Sequence, residues 1–201
     1  MLPRILFSLP WLSVLALTAS AEPNYYMLSG GWNFSSFVLD LPQGTQYPKQ
    51  GYRQGLGLTA GIQVHPRTNV AVATGLGYET RGATWTSNGT QRVLKFDYLH
   101  VPLSLKLMGP PWFIQPYLAP GLELAYLVAS NSDGKQTIKD PSGFDLDVGA
   151  ALGLHIPMGD NAIFLETGYA YGLMNASGGN DDGRTTNNSA FKFRLGVLKE
   201  W

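Results

Sequence analysis

The amino-acid sequence predicts an all-β fold, an eight-stranded antiparallel up-and-down transmembrane β-barrel behind an N-terminal signal peptide. Three observations predict it. Eight segments alternate apolar residues with polar or small ones at period two, the pattern of strands whose side chains point to opposite faces. The connections between these segments alternate long and short. Aromatic residues gather at both ends of the segments.

The first 21 residues are read as a signal peptide. Arg4 supplies a positive start, Ile5 to Leu17 is apolar, and Ala19-Ser20-Ala21 marks cleavage through Ala19 and Ala21. The apolar run of about 13 residues falls short of the ~20 that a spanning helix needs. The barrel domain is assigned to 22–201. Charged residues make up only 14% of the chain, against a usual ~25%. The formal net charge is zero, so there is no electrostatic case for nucleic acid. The absence of Cys excludes disulfides and cysteine chemistry together.

The segments follow in order. In 25–35, Tyr26, Leu28, Trp32 and Phe34 alternate with Met27, Ser29, Gly31 and Asn33. In 54–65, Leu56, Leu58, Ala60, Ile62 and Val64 alternate with glycine-rich positions. In 70–81, Val70, Val72, Leu76 and Tyr78 oppose Ala71, Ala73, Gly75, Gly77, Glu79 and Arg81. In 92–107, Leu99 to Leu107 oppose His100, Ser104 and Lys106; Phe96 and Tyr98 have the opposite parity, which a bulge near Tyr98 would reconcile. In 113–128, Leu118, Leu122, Leu124 and Tyr126 oppose Ala119, Gly121, Glu123 and Ala125. In 144–156, an unbroken apolar series from Phe144 to Ile156 opposes Asp145, Asp147, Gly149, Ala151, Gly153 and His155. In 162–173, Ile163, Leu165, Tyr169 and Tyr171 oppose Glu166, Gly168 and Ala170. In 190–201, Phe191, Phe193, Leu195, Val197 and Trp201 oppose Lys192, Arg194, Gly196 and Glu200. Each segment is roughly 11–16 residues, longer than the ~5–6 of soluble sheets and long enough to cross a bilayer at a tilt. Pro102, Pro116 and Pro120 each remove a ladder donor, so they are expected at bulges or frayed ends that shorten the fourth and fifth strands.

The connections at 36–53, 82–91, 129–142 and 174–189 are long and polar; those at 65–69, 108–112 and 157–161 are short. Outer-membrane barrels have short periplasmic turns and longer outside loops, and an even strand count then puts both termini in the periplasm. One predicted aromatic girdle contains Trp32, Phe34, Tyr78, Phe96, Tyr98, Tyr126, Phe144, Tyr169, Tyr171, Phe191 and Phe193; the other contains Tyr25, Tyr26, Trp112, Phe113 and Trp201. A soluble lipocalin-like barrel with its apolar face inward explains the alternation equally well. It leaves unexplained the girdles, the loop asymmetry and the Gly and Ala rows on the polar face.

The stretches YLHVPLSLKL (98–107), QPYLAPGLELAYL (115–127), FDLDVGAALGLHI (144–156), LETGYAYGLMN (165–175) and the terminal FKFRLGVLKEW resemble the outer-membrane protein β-barrel domain family of Bacteroidetes-type Gram-negative bacteria. The resemblance implies an eight-stranded barrel in the bacterial outer membrane. It also implies a barrel-assembly signal at Trp201, where a terminal aromatic is usual. The shared motifs are structural, and they carry no catalytic residue.

The inward charges are Glu79, Arg81, Lys106, Glu123, Asp145, Asp147, Glu166, Lys192, Arg194 and Glu200. Buried charges need partners. Lys192 and Arg194 are expected to reach Asp145 and Asp147, forming a salt-bridged network that fills a lumen only wide enough for side chains. A small gated ion path is the alternative. No catalytic, metal or cofactor residues are assigned. His65 and His155 sit at the short-turn end and His100 mid-strand, remote from the serine-rich loops that a hydrolase triad would use. Asp181 and Asp182 are adjacent, not alternating as a calcium loop requires. The expected function is a structural or interaction role at the cell envelope, with a narrow porin-like channel or a soluble periplasmic ligand-binding barrel as alternatives. The expected partners are outer-membrane lipids, the barrel-assembly machinery, and envelope or secretion proteins meeting the loops.

Overall fold

A computed structural model describes residues 23–40, 49–87, 90–110, 112–132, 143–174 and 185–201. The signal segment with Ala19 and Ala21, and the loop acids Asp181 and Asp182, lie outside these residues. The strands are β1 Tyr25–Asp40, β2 Lys49–Arg67, β3 Val70–Ser87, β4 Thr90–Met108, β5 Gln115–Ser132, β6 Phe144–Met158, β7 Asn161–Gly172 and β8 Thr185–Glu200. Each pairs antiparallel with its sequence neighbours, and β8 closes on β1 from Tyr25↔Glu200 to Asp40↔Thr185. Closure leaves no unpaired sheet edge.

Most strands are longer than the alternation suggests, reaching 19 residues in β2 and β4, while β7 keeps the expected 12. The connection expected at 82–91 is mostly strand: β3 and β4 stay paired to Ser87↔Thr90, with only positions 88 and 89 between them. Polar outward residues here mark a wall rising past the apolar band, and period-two reading stopped where the apolar residues stopped.

β4 keeps a single phase. Phe96, Tyr98, His100 and Lys106 are all buried inside, so Phe96 and Tyr98 belong to the core and not to a girdle. A register shift does occur at Asp97/Tyr98, but the extra residue, Val128, is on β5. Tyr25 also points inward, against Phe164 and Leu198. Glu200, expected inside, is exposed at the barrel's end.

Pro102 and Pro120 do not shorten their strands, whereas Pro116 stands at a strand end, the second residue of β5. Pro102 stays paired with Glu123 on β5, while its missing N–H opens the β3–β4 ladder between Thr74↔Leu103 and Gly77↔His100. Pro120 stays paired with Ala150 on β6, and the β4–β5 ladder opens between Ser104↔Gly121 and Leu107↔Leu118. A strand residue offers its N–H to one neighbour only, so proline breaks one ladder and leaves the other. The Thr74 hydroxyl donates to the Pro102 carbonyl at 2.9 Å beside one gap.

The outer face is apolar. Leu28, Leu58, Leu76, Leu103, Leu122, Leu152, Leu165 and Leu195 are all exposed, while Glu79, Arg81, Glu123, Asp145 and Asp147 are buried within. That polarity is the reverse of a soluble ligand-binding barrel. Tyr26 and Trp201 meet with tilted rings at 5.8 Å at the turn end, and Tyr126 and Phe144 meet edge-on at 5.0 Å toward the loop end.

Apolar clusters sit inside at both ends. Phe37, Ala83, Leu94, Phe96, Tyr98 and Ala125 pack at the loop end. Tyr25, Ala162, Phe164 and Leu198 pack at the turn end, with Met108 and Tyr117 nearby in a third cluster. Glycines on the facing strands make room for these rings. A Cβ on Gly196 would run into the Phe164 ring. Gly196→Ala is therefore expected to cost about 1–3 kcal/mol through overpacking, read as a lower urea midpoint for the closed, heat-modifiable form. An unchanged midpoint would show that Phe164 has room to move.

Candidate functional site

A charged cluster crosses the middle of the barrel with Arg81 at its hub. Glu79 and Arg81 share the inward face of β3 as an i, i+2 pair. Asp147 on β6 stands directly opposite Glu123 on β5 in register. Two facing carboxylates repel unless a cation joins them. Arg81 does so: its guanidinium is ion-paired with Glu79 and Glu123, with Asp147 at 2.6 Å and Asp145 at 3.9 Å, and it lies 5.3 Å from the Tyr98 ring centre. Lys192 on β8 bridges Glu79 at 3.0 Å and Glu123 at 2.8 Å. Arg194 joins Glu123 at 3.2 Å to its direct β7 neighbour Glu166 at 3.4 Å.

The pairing differs from expectation in two ways. Asp145 and Asp147 are held by Arg81 from across the barrel, and not by Lys192 or Arg194. The β8 cations also reach across the interior, but they are committed to Glu79, Glu123 and Glu166. Lys106, expected in the network, makes no ion pair among the described residues. It donates to the Gln63 side chain at 2.9 Å and lies 4.7 and 4.6 Å from the ring centres of Tyr117 and Phe164. Cation–π contacts and an amide oxygen take the place of a carboxylate.

Other participants are polar residues that charge-counting passes over. Asn188 donates to Asp145, and the Tyr117 hydroxyl donates to Glu166 at 3.1 Å. His100 meets Glu123 through Nδ1 at 3.1 Å and Thr59 through Nε2 at 3.3 Å. His100 stood on the expected inward face of β4, and the even positions would have found Tyr98 as well had the strand been read in one phase. Asn188 fell within an expected loop.

Two chemical readings of this cluster fail on geometry. Glu79, His100 and Glu123 bring donor atoms within 4.8 Å of one another, as a metal site would. Arg81 and Lys192 already occupy both carboxylates, so a metal ion would have to displace paired cations. Thr59, His100 and Glu123 line up in the order of a hydrolase triad. The space lined by Thr59 and His100 is ≈ 10 Å³, about enough for one water, and all three side chains are buried inside the barrel.

A family model described as "Outer membrane protein beta-barrel domain" matches residues 25–178. The chain belongs to that family. No curated protein matches it. Among solved structures, this outer-membrane barrel is similar to OprG from Pseudomonas aeruginosa, with TM-score 0.55, 12% identity, and 89% of this chain and 96% of that one covered. It is similar to neisserial surface protein A, with TM-score 0.52, 14% identity, and 90% and 100% covered. A major outer membrane protein from Thermus thermophilus gives TM-score 0.53 at 12% identity, with 90% and 100% covered. At such identities the likeness concerns the fold. Outer-membrane membership makes the exposed leucine face the lipid-facing one, and the described strands carry it across the bilayer.

Proposed function

We propose that this outer-membrane barrel serves a structural or interaction role at the cell envelope, with its interior closed by side chains and its longer loops facing outward. The observation that carries the reading is the filling of the interior. The Arg81 cluster occupies the middle, aromatic clusters occupy both ends, and a space of ≈ 70 Å³ beside Glu123, Asp147, Lys192 and Arg194 is enough for a few waters. Reconstitution into planar bilayers tests it. The expected result is no stable open conductance level; a steady, large single-channel current would overturn the closed interior in favour of a narrow channel. A non-enzymatic role agrees with the cramped setting of Thr59 and His100.

In this reading both termini are periplasmic, residues 1–21 are a cleaved signal peptide, and Trp201 is the assembly signal. Trp201 ends the chain beside Tyr26, its N–H donating to the Asn24 carbonyl at 3.1 Å. Trp201→Ala is expected to lower the heat-modifiable fraction in cells several-fold while the purified chain still refolds in detergent. Equal cellular folding of both forms would remove the signal role. The lipids and the assembly machinery are the partners this reading requires, and envelope or secretion proteins are the class its loops would meet.

A further inference from the structure

The turn end of the interior gathers two histidines and a lysine that the charged cluster does not use. His65 on β2 and His155 on β6 have ring centroids 6.5 Å apart, and Tyr25 on β1 stands edge-on to both at 5.7 and 6.0 Å. They are 2% and 5% exposed. Lys106 on β4, also buried, holds its ammonium between the Tyr117 and Phe164 rings, and its charge acts on both histidines. The strands packed around them supply neutral groups: Ala71 on β3 opposite Lys106, Gln115 on β5 and Phe164 on β7 opposite His155, and Leu198 on β8. Glu166 on β7 is held by Arg194 and the Tyr117 hydroxyl. Arg67, Asp160, Lys199 and Glu200 are exposed on the rim. Among the described residues, the histidine–carboxylate contact is at His100, so no acid serves this pair.

The hydrogen bonds require neutral imidazoles. The Gln63 side-chain oxygen accepts from Lys106 at 2.9 Å, and its nitrogen meets His65 Nε2 at 2.7 Å. An amide has one oxygen. With that oxygen on Lys106, the NH₂ donates to His65, and Nε2 carries the lone pair. A proton on Nε2 would set N–H against N–H. Turning the amide to receive it would set the NH₂ against the Lys106 ammonium. Gln63 can therefore serve one cation and not two. His65 Nδ1 and both ring nitrogens of His155 have no hydrogen-bond partner. An imidazolium at His155 would add two N–H donors without acceptors and a further buried positive charge, which is costly without an anion.

We propose that His65, His155, Gln63 and Lys106 form an acid-sensitive latch at the turn end of the barrel. With neutral imidazoles the plug of Tyr25, Phe164 and Leu198 stays packed; protonation beside Lys106 drives that end apart. A free imidazole takes up its proton near pH ~6.5. Below that pH the opened chain binds more protons than the closed one, so closure holds above it and is lost as the pH falls. The latch rests on the turn-end plug of the closed-interior reading. Conductance at neutral pH tests that reading, and the measurements below involve no current, so either can fail alone.

Urea titration of the heat-modifiable, refolded barrel tests the latch. Between about pH 7.5 and 5 the wild-type unfolding constant should rise by up to roughly 30-fold per histidine. His65→Gln combined with His155→Gln should remove most of that rise. His100→Gln should keep it, because His100 has a carboxylate beside it. Where the double variant does not fold, Lys106→Met replaces it and should shrink the rise by removing the repelling charge. Amide hydrogen exchange, corrected for its intrinsic pH dependence, adds the location: at the acid end of the range it should quicken at Tyr25, Phe164 and Leu198 before Phe96 and Ala125 at the loop end. No rise in the wild type, a rise of equal size in the variants, or exchange that quickens equally at both ends overturns the latch.

Discussion

Arg81→Met is expected to lower the stability of the closed barrel by about 3–5 kcal/mol, the cost of leaving buried carboxylates without their cation. Arg81 is 1% exposed and joins Glu79, Glu123 and Asp147, which no other single described residue touches together. Its removal leaves Glu123 and Asp147 facing each other in register with Lys192 and Arg194 reaching only the former. Arg81→Lys should recover little, because one shorter ammonium replaces a planar group that contacts several acids at once. A urea titration of the heat-modifiable form reads the effect. Adding Asp147→Leu to Arg81→Met should restore part of the loss, since the orphaned charge goes with it. Midpoints equal to wild type in both variants would show that the cluster is hydrated and contributes no buried pairing.

Leu152→Arg should also cost about 2–4 kcal/mol, for the opposite reason: it places a charge in lipid near the bilayer midplane. Leu152 is 63% exposed halfway along β6, five residues from the buried Asp147. A charge is tolerated on one face of the strand and refused on the other. Folding into lipid vesicles, scored by the heat-modifiable band at increasing urea, should show Leu152→Arg failing earlier than Leu152→Ala. Equal behaviour of the two would contradict the assignment of this face to lipid.

The alternation in 144–156 made the barrel legible without coordinates. A strand that puts every even residue in lipid and every odd residue inside must show period two, because the two environments impose opposite demands on adjacent positions. The turn positions were readable for a related reason. Gly159 adopts a φ of +66° in the turn between β6 and β7, a conformation that favours glycine.

The inner aromatics were not legible. Phe96 and Tyr98 are apolar residues on an inward face, so hydrophobicity alone assigned them outward, and a bulge was invoked to agree with it. The bulge at that level relieves β5 instead, through Val128. The full height of the β3–β4 hairpin was hidden too, because strand above the membrane loses the apolar half of its alternation.

Local periodicity and chain connectivity were enough to establish the strand count, the antiparallel order, the apolar outer face and nearly every inward charge. Which charges meet is a property of the closed barrel alone. Partners such as Arg81 and Asp147 lie far apart in the chain and on opposite walls, and their contact depends on register, bulges and side-chain reach summed around the whole sheet. The same dependence brings His65 beside His155 and leaves Lys106 among rings instead of acids.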